Sequence, residues 1–150
     1  MAELTTSITE SVSINGTNRG NTNSQTISGI EHTFERVVTC IEGNVTTIAV
    51  FGTQPYSSDG ALDVDRTKYI RITNLDAAGW IEVAMIGTAT NYQVLLTPGS
   101  SHILCQSQAV AIAEEDVDPA FGTMQDLTRI IVQPVGTSFD PKVEIFVAST

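Results

Sequence analysis

The first fourteen residues alternate between two classes of side chain. Leu4, Ile8, Val12 and Ile14 fall on one parity, while serines and threonines fill the other. An alternation of this length predicts an extended β-strand with one solvated face and one face that needs cover. The dipeptide Asn-Gly follows at positions 15 and 16 and favours a two-residue hairpin turn.

The next stretch, residues 17–28, is almost wholly polar, so the predicted hairpin has little apolar material of its own to bury. We therefore expect residues 1–33 to form an N-terminal β arm for contact between subunits, and residues 34–150 to form the folded domain. The residues expected at the partner interface are the apolar ones of the arm: Leu4, Ile8, Val12, Ile14, Ile27 and Ile30.

Alternation with period two continues along most of the remaining chain. Three pairs of predicted strands are separated by short glycine-containing turns at 42–44, 76–79 and 98–99, and we expect each pair to be a β-hairpin. The paired segments are residues 34–41 with 45–51, 67–75 with 80–86, and 92–97 with 101–105.

Further strands are expected at 127–133 and 143–148, and residues 109–113 are expected either to extend the strand at 101–105 or to start another. Helix evidence is confined to residues 114–126, where Pro119 and Gly122 would cut a helix short. Eight to ten short strands with closely spaced turns predict an all-β fold, an antiparallel β-sandwich that is jelly-roll-like and carries an extended N-terminal arm.

Composition narrows the classes of partner. Charged residues make up 16% of the chain, against roughly 25% in typical soluble domains. The net charge of -10, with seven Lys and Arg residues, argues against nucleic acid as a partner, because its phosphates would be repelled. We see neither a signal-peptide pattern nor an apolar run of membrane-spanning length, and therefore expect a soluble, cytoplasmically made protein with no membrane partner.

The best candidate for a metal site is the loop that carries Asp59, Asp63 and Asp65. Three carboxylates within seven residues could wrap a hard cation such as calcium, but the spacing differs from that of an EF-hand. A solvated acidic loop is the preferred interpretation. No glycine-rich phosphate loop accompanies it, so neither a metal nor another cofactor is expected.

Catalytic patterns are also weak. His32 and His102 have no metal-ligand partner at a suitable spacing, and no Gly-x-Ser-x-Gly elbow is present. A Ser-His-Asp constellation assembled in space stays open, but we expect no enzyme. Cys40 and Cys105 are interpreted as small buried hydrophobes, with their pairing left open. Trp80 is interpreted as a core or sheet-edge anchor rather than a sugar-stacking platform.

Several segments resemble a loose group of small β-rich virion structural proteins of tailed bacteriophages, especially those that infect cyanobacteria and other marine bacteria. The resemblance spans most of the chain, without a catalytic signature. It lies in LTTSITESV at 4–12 with the following Asn-Gly turn, ISGI at 27–30, DRTKYIRITNLD at 65–76, LTPGS at 96–100 and FVAST at 146–150.

This resemblance implies a place in a virion. The first expectation is a capsid decoration or cement protein on the capsid exterior that stabilises the head through subunit-bridging β contacts. Its expected partners are further copies of itself, as a trimer, and the major capsid protein or another virion protein. The alternatives are a head-to-tail connector or tail component, such as a stopper, terminator or fibre-attachment protein, and a host-glycan-binding module. A hydrolase is the least favoured.

Overall fold

The regular secondary structure of this protein is built from β-strands. The computed structural model describes residues 2–52, 61–87, 91–105, 126–136 and 140–150. All regular structure in these ranges is β, which confirms the predicted all-β class. The described residues contain no helix long and apolar enough to cross a membrane.

In chain order the strands are β1 (Ala2–Thr9), β2 (Ser13–Ile14), β3 (Thr17–Asn18), β4 (Thr22–Ile30), β5 (His32–Thr39), β6 (Thr46–Gly52), β7 (Leu62–Asp63), β8 (Thr67–Asn74), β9 (Trp80–Gly87), β10 (Asn91–Leu96), β11 (Ser101–Cys105), β12 (Leu127–Val135) and β13 (Lys142–Ser149).

Two sheets pack face to face and form a β-sandwich. The five-stranded sheet has the order β10-β9-β12-β6-β7, and the four-stranded sheet has the order β11-β8-β13-β5. Pairing between the described strands is antiparallel except for the short parallel contact of β7 with β6. The predicted strand at 109–113 lies outside the described residues, as does the candidate helical segment at 114–126 except for its last residue.

The core lies between the two sheets, where alternate residues of each strand point inward. β-branched residues dominate this layer, as expected for strands that pack a pleated surface against a second sheet. Burying such a side chain contributes about 1.5–3 kcal/mol relative to leaving it exposed. The four-stranded sheet supplies Ile72, Val143 and Ile145, and the five-stranded sheet supplies Ile81, Val83, Met85 and Ile130, all with no exposed surface.

The first four strands form one long hairpin, two strands wide, outside both sheets. We call it the N-terminal hairpin (residues 2–30). β1 pairs with β4, and β2 pairs with β3 at the tip. Asn15 (φ 52°) and Gly16 (φ 77°) both have positive φ, as a type I′ turn requires, so the turn predicted from the Asn-Gly dipeptide is confirmed. The hairpin joins the sandwich through Glu31, whose backbone N–H donates to the Ser149 carbonyl at 2.9 Å.

The three turns predicted to close hairpins connect the two sheets instead. β5, β8 and β11 belong to the four-stranded sheet, whereas β6, β9 and β10 belong to the five-stranded sheet. The turns at 42–44, 76–79 and 98–99 therefore each cross the edge of the sandwich. The glycine requirement was predicted correctly, since Gly43 and Gly99 both have φ 73°. The hairpin interpretation was wrong because a tight turn does not specify which strand its neighbours pair with.

Asn74 ties two of these crossing turns together. It is fully buried at the end of β8. Its Nδ2 donates to the carbonyls of Gly79 (2.8 Å) and Leu96 (3.2 Å), and its Oδ1 accepts the N–H of Asp76 at 3.0 Å. The backbone carbonyl of Asn74 also accepts the N–H of Gly99 at 3.1 Å. One side chain thus pairs backbone groups that the sheet ladders leave free.

We expect Asn74→Ala to lower the free energy of unfolding by about 1–3 kcal/mol, because buried carbonyl groups lose their donor. Urea denaturation followed by circular dichroism measures the change. Asn91→Ala is the matched control, since the exposed Asn91 side chain accepts the N–H of Gly87 at 3.2 Å near the protein surface. Equal destabilisation by the two substitutions would contradict the role given to Asn74.

Asp76 makes the turn at 76–79 sensitive to acid. Backbone N–H groups of Gly79 (2.6 Å) and Ala78 (2.8 Å) donate to its Oδ1 and hold the pKa of this carboxyl below its ordinary value. A lowered pKa stabilises the fold above the unfolded-state pKa, and this contribution is lost as the pH falls through the folded-state value.

Asp76→Ala should therefore lower the melting temperature most at neutral pH, with the difference from the wild type shrinking below about pH 4. Melting curves recorded from pH 7 down to pH 2.5 test this. A difference that stays constant over the whole range would show that the charge of Asp76 does not stabilise the turn.

Candidate interaction surface

One continuous backbone register runs along the N-terminal hairpin. Leu4 pairs with Ile27, and Ile14 pairs with Thr17, so the residue numbers of the two partners add up to 31 in both pairs. In the middle, Glu10 donates to the Asn21 carbonyl and Arg19 donates to the Val12 carbonyl, at 2.8 and 2.9 Å, and the sums are again 31. The register shifts once, between Ala2 and Glu3 at the base. From Glu3 to the tip it does not slip, so each residue parity stays on one face of the ribbon over that length.

The two faces differ in chemistry. The hydroxyl face carries cross-strand pairs of side-chain hydroxyls: Thr5 with Thr26 (3.3 Å), Ser7 with Ser24 (2.8 Å) and Thr9 with Thr22 (3.1 Å). The opposite face carries the aliphatic residues that the sequence alternation singled out, and we call it the apolar face. Its members along the hairpin are Leu4, Thr6, Ile8, Glu10, Val12 and Ile14 on one strand, with Thr17, Arg19, Asn21, Asn23, Gln25 and Ile27 on the other.

Gly20 marks a very close approach of the two strands. A Cβ atom built at Gly20 would overlap the carbonyl group of Glu10 and the Cα of Ser11. Only glycine has no Cβ, so another residue at this position would force the strands apart. The glycine thereby allows the ribbon to remain paired between its long base and its tip.

The base of the hairpin packs on the outer face of the four-stranded sheet. Ile27 and Ile30 are each 8% exposed and form a second apolar cluster with Tyr69 and Ala148. Leu4 and Phe146 pack against the same cluster. The apolar face therefore covers the sheet at the Tyr69 end of β8.

The hairpin also contacts an edge strand of the sandwich. The Sγ of Cys105, the last residue of β11, donates to the Gln25 Oε1 at 3.1 Å. This contact lies at the edge of the four-stranded sheet, because β11 is an edge strand. Residues 7–24, which we call the distal ribbon, are exposed throughout except for the half-buried Gly20.

The structure separates the six predicted interface residues into two groups. Ile27, Ile30 and the half-buried Leu4 are covered by the sandwich of their own chain. Ile8, Val12 and Ile14 lie on the distal ribbon with exposed fractions of 51%, 48% and 54%. Ile8 borders a shallow depression with Glu10, Asn21 and Asn23. A surface available to a partner is thus limited to the distal members of the set.

A second exposed apolar surface lies on the outer side of the five-stranded sheet. Inward residues of its strands fill the core, while Trp80, Leu95 and Val135 point outward with exposed fractions of 46%, 48% and 38%. Trp80 pairs directly with Val135, and Leu95 lies diagonally next to Trp80 because it pairs with Glu82. We call this surface, together with Val45 and Val50, the bare face; both valines are exposed as well.

The sequence reasoning did not find the bare face. Trp80 was interpreted as a core or sheet-edge anchor, whereas it lies at the end of β9 and is nearly half exposed. The signal that could have revealed it is a loss of alternation. Strand β12 is apolar at 130, 131 and 132 in succession, which indicates that both sides of the strand carry apolar side chains.

Only part of the predicted acidic loop belongs to the residues that the structure describes. Asp59 lies outside the described residues. The Oδ2 of Asp63 is 3.5 Å from the Arg66 Nε, and its Oδ1 accepts the N–H of Asp65 at 3.0 Å. Among the residues that the structure describes, no three His, Cys, Asp or Glu side chains are grouped so that they could hold a metal ion.

The cysteines and histidines take ordinary structural positions. Cys40 is buried in the core, and burial raises the pKa of its thiol to about 11, so the thiol stays protonated at neutral pH. Both cysteines are free, since Cys40 lies between the sheets and Cys105 on an outer face. The His102 Nε2 lies 3.1 Å from the Tyr92 hydroxyl, and desolvation raises the pKa of that hydroxyl.

Comparison of the chain with protein-family models and with curated protein sequences finds no match to either. The exposed surfaces are therefore the main guide to function, together with the resemblance of the sequence segments described above.

Equal substitutions at the base and in the distal ribbon should have unequal effects on stability. We expect Ile27→Ala to lower the free energy of unfolding by about 2–5 kcal/mol, because it leaves a cavity beneath the hairpin. Ile8→Ala should change it by less than about 0.5 kcal/mol, because Ile8 contacts mainly solvent. Urea denaturation of the two variants makes the comparison. Similar losses from both would mean that the distal ribbon is packed in the isolated protein.

Proposed function

We propose that the protein is a non-enzymatic structural component of a larger assembly and that the distal ribbon is its contact element. The observation that carries this proposal is a two-stranded ribbon whose residues are exposed on both faces. Such a ribbon is marginally stable in water without a third strand or a packed face. Binding to a neighbouring subunit would supply what the isolated chain does not provide.

Two modes of binding are open to the ribbon. Its outer backbone edges can accept a strand from a partner, and its apolar face can pack on a partner surface. The position of Ile8, Val12 and Ile14 on a single face favours packing by that face. The hydroxyl face carries short neutral side chains paired with one another, and is suited to contact with water.

We further propose that the assembly is a tailed-bacteriophage virion and that the protein decorates the capsid exterior as a cement protein. The sequence resemblance supports the virion, and the reaching hairpin supports a role in bridging subunits. The major capsid protein or another virion protein would be the partner, and the protein itself would be a homo-oligomer, a trimer in the first instance. Synthesis in the host cytoplasm is part of the same proposal.

The strand order supports a jelly-roll connectivity for the sandwich. From β5 onward, the eight longer strands enter the two sheets in the order β11-β8-β13-β5 and β10-β9-β12-β6. Two interlocked Greek keys produce this arrangement, and jelly rolls are common in viral capsid proteins and in lectins. The connectivity is therefore compatible with a virion role but does not choose between capsid and tail.

A host-glycan-binding module is the second candidate function. The exposed Trp80 ring favours it, because an indole on an outer sheet face can stack on a sugar ring. Lectins also use jelly-roll folds. A glycan array probed with the wild type and with Trp80→Ala would separate this function from a purely structural one. A connector or tail position remains the alternative within the virion and would be recognised by copy number.

Binding to particles tests the structural proposal. We expect Ile8→Asp to reduce occupancy on particles that lack the endogenous protein by at least tenfold, because it places an unpaired charge in the contact. Ser7→Asp is the matched control. It changes the residue next to Ile8 and adds the same charge to the opposite, hydroxyl face of the hairpin. Quantitative mass spectrometry of purified particles measures copies per particle.

Normal occupancy of Ile8→Asp would overturn the assignment of the ribbon as the contact element. The wild-type copy number also decides the position in the particle. A number close to that of the major capsid protein supports decoration, whereas a small multiple of the tail symmetry supports the connector or tail alternative.

A further inference from the structure

The hairpin base and the bare face lie on opposite sides of one sandwich. The hairpin base rests on the outer face of the four-stranded sheet, whereas the bare face is the outer face of the five-stranded sheet. The whole core lies between them. The distal ribbon and the bare face are both exposed in this conformation, so neither covers the other.

From this arrangement we propose that the apolar face of the distal ribbon packs on the bare face of a second copy of the chain. This inference rests on the proposed function of the ribbon as a contact element, and it names the partner. The contact is heterologous, because each copy gives its ribbon and receives another. Repetition of such a contact produces a closed ring or an open chain of copies.

The molecule already contains one example of this packing mode. At the hairpin base, Ile27 of the apolar face and Ile30, which lies beyond the register shift, cover Tyr69 and Ala148 on the outside of a sheet. The register is unbroken from the Leu4–Ile27 pair to the tip, so the face that carries Ile27 continues into the distal ribbon. What the base does to its own four-stranded sheet, the distal ribbon can do to another copy's five-stranded sheet.

The exposed apolar residues of both surfaces are spread along their strands. Ile8, Val12 and Ile14 recur along one strand at intervals of about 7–13 Å, from a rise of about 3.3 Å per residue. On the bare face, exposed apolar side chains occur at both ends of the sheet: Trp80, Leu95 and Val135 at one end and Val50 at the other, with Val45 on the flank.

The charges on these two surfaces are compatible with a contact between copies. The chain carries a net charge of -10, so copies repel one another in general. The distal ribbon, however, carries one acid and one base, Glu10 and Arg19, and both lie on its apolar face. The outward residues of β9 and β12 also include one acid and one base, Glu82 and Arg129. Each surface is neutral and carries one charge of each sign, so the two surfaces can form attractive charge pairs with one another.

The size of the contact sets its expected strength. A two-stranded ribbon about 10 Å wide and about 30 Å long covers roughly 300 Å² of a partner surface. This is well below the roughly 800 Å² that each partner buries in a standard stable interface. We therefore expect weak, concentration-dependent association of the free protein, and stable association only where an assembly holds the copies side by side.

A complementation experiment between two defective variants tests the proposal. The ribbon variant carries Ile8→Asp and Val12→Asp and keeps an intact bare face. The face variant carries Leu95→Asp and Val135→Asp and keeps an intact ribbon. All four substituted side chains are substantially exposed, so both variants should fold, and circular dichroism checks this.

Sedimentation equilibrium at high protein concentration gives the first readout. We expect the wild type to associate, each variant alone to remain monomeric, and an equimolar mixture to form one-to-one dimers and nothing larger. Ser7→Asp with Thr9→Asp, on the hydroxyl face, is the charge-matched control and should associate like the wild type.

Fluorescence gives a second readout at the proposed contact. Trp80 is the only tryptophan in the sequence and lies on the bare face. With Trp80→Phe added to the face variant, the single indole in the mixture belongs to the ribbon variant. Titration with the face variant should then shift the Trp80 emission to shorter wavelength, because the incoming ribbon removes water from the indole.

Three outcomes would overturn the proposal: a monomeric wild type at the highest concentration, a mixture that stays monomeric, or a face variant that still self-associates. The last would point to ribbon-to-ribbon pairing. A monomeric wild type combined with loss of Ile8→Asp from particles would overturn this inference alone and leave the proposed function standing. Normal particle binding of Ile8→Asp would instead overturn the proposed function.

Discussion

The packing of Ile27 and Ile30 against Tyr69 and Ala148 determines how the rest of this molecule can be used. Without that contact, the N-terminal hairpin would be a two-stranded ribbon attached through Glu31 and free to take many directions. With it, the base becomes part of the outer layer of the four-stranded sheet. The direction of the distal ribbon is then set by the fold, and the entropy lost on binding a partner is correspondingly smaller.

The same contact makes the two sides of the sandwich unequal. An antiparallel sheet can have one wet face, and polar side chains then alternate with core residues along each strand. Here the outer face of the four-stranded sheet carries Tyr69 and Phe146 and is covered by the hairpin base. The outer face of the five-stranded sheet carries Trp80 and Leu95 without such cover among the described residues. The two outer faces of the sandwich are therefore different, and such a molecule is suited to repeated head-to-tail contacts between copies.

Sequence patterns predicted local features of this fold better than its strand pairing. The alternation of Leu4, Ile8, Val12 and Ile14 and the Asn-Gly turn predicted extended backbone and the tip of the hairpin correctly, because both depend on neighbours in sequence. The single strand expected over the first fourteen residues is instead divided into β1 and β2, with residues 10–12 between them. The turn glycines Gly43 and Gly99 were also recognised. Pairing was not predictable in the same way. A glycine turn reverses the chain equally well within a sheet or between two sheets, and burial of both flanking strands decides which occurs.

The candidate surfaces show the same division between local and distant information. Alternation identified the apolar face of the hairpin, but it could not distinguish Ile27, which is covered by its own chain, from Ile8, which is exposed. That distinction depends on where β8 and β13 lie, more than thirty-five residues away in sequence. The bare face escaped detection for a different reason. Its residues belong to strands with a full inward set of core side chains, so the outward apolar residues look like additional core in the sequence.

The neutral exposed surfaces give a physical reason for the low content of charged side chains. Exposed sheet edges and apolar ribbons promote unwanted association, and proteins commonly protect them with charge. In this chain the net charge of -10 provides a general repulsion between copies, while the distal ribbon and the outward residues of β9 and β12 are neutral. General repulsion acts over about a Debye length, roughly 8 Å at physiological ionic strength, and disfavours random encounters. The proposed contact between copies would then meet little charge repulsion, because both of its surfaces are neutral.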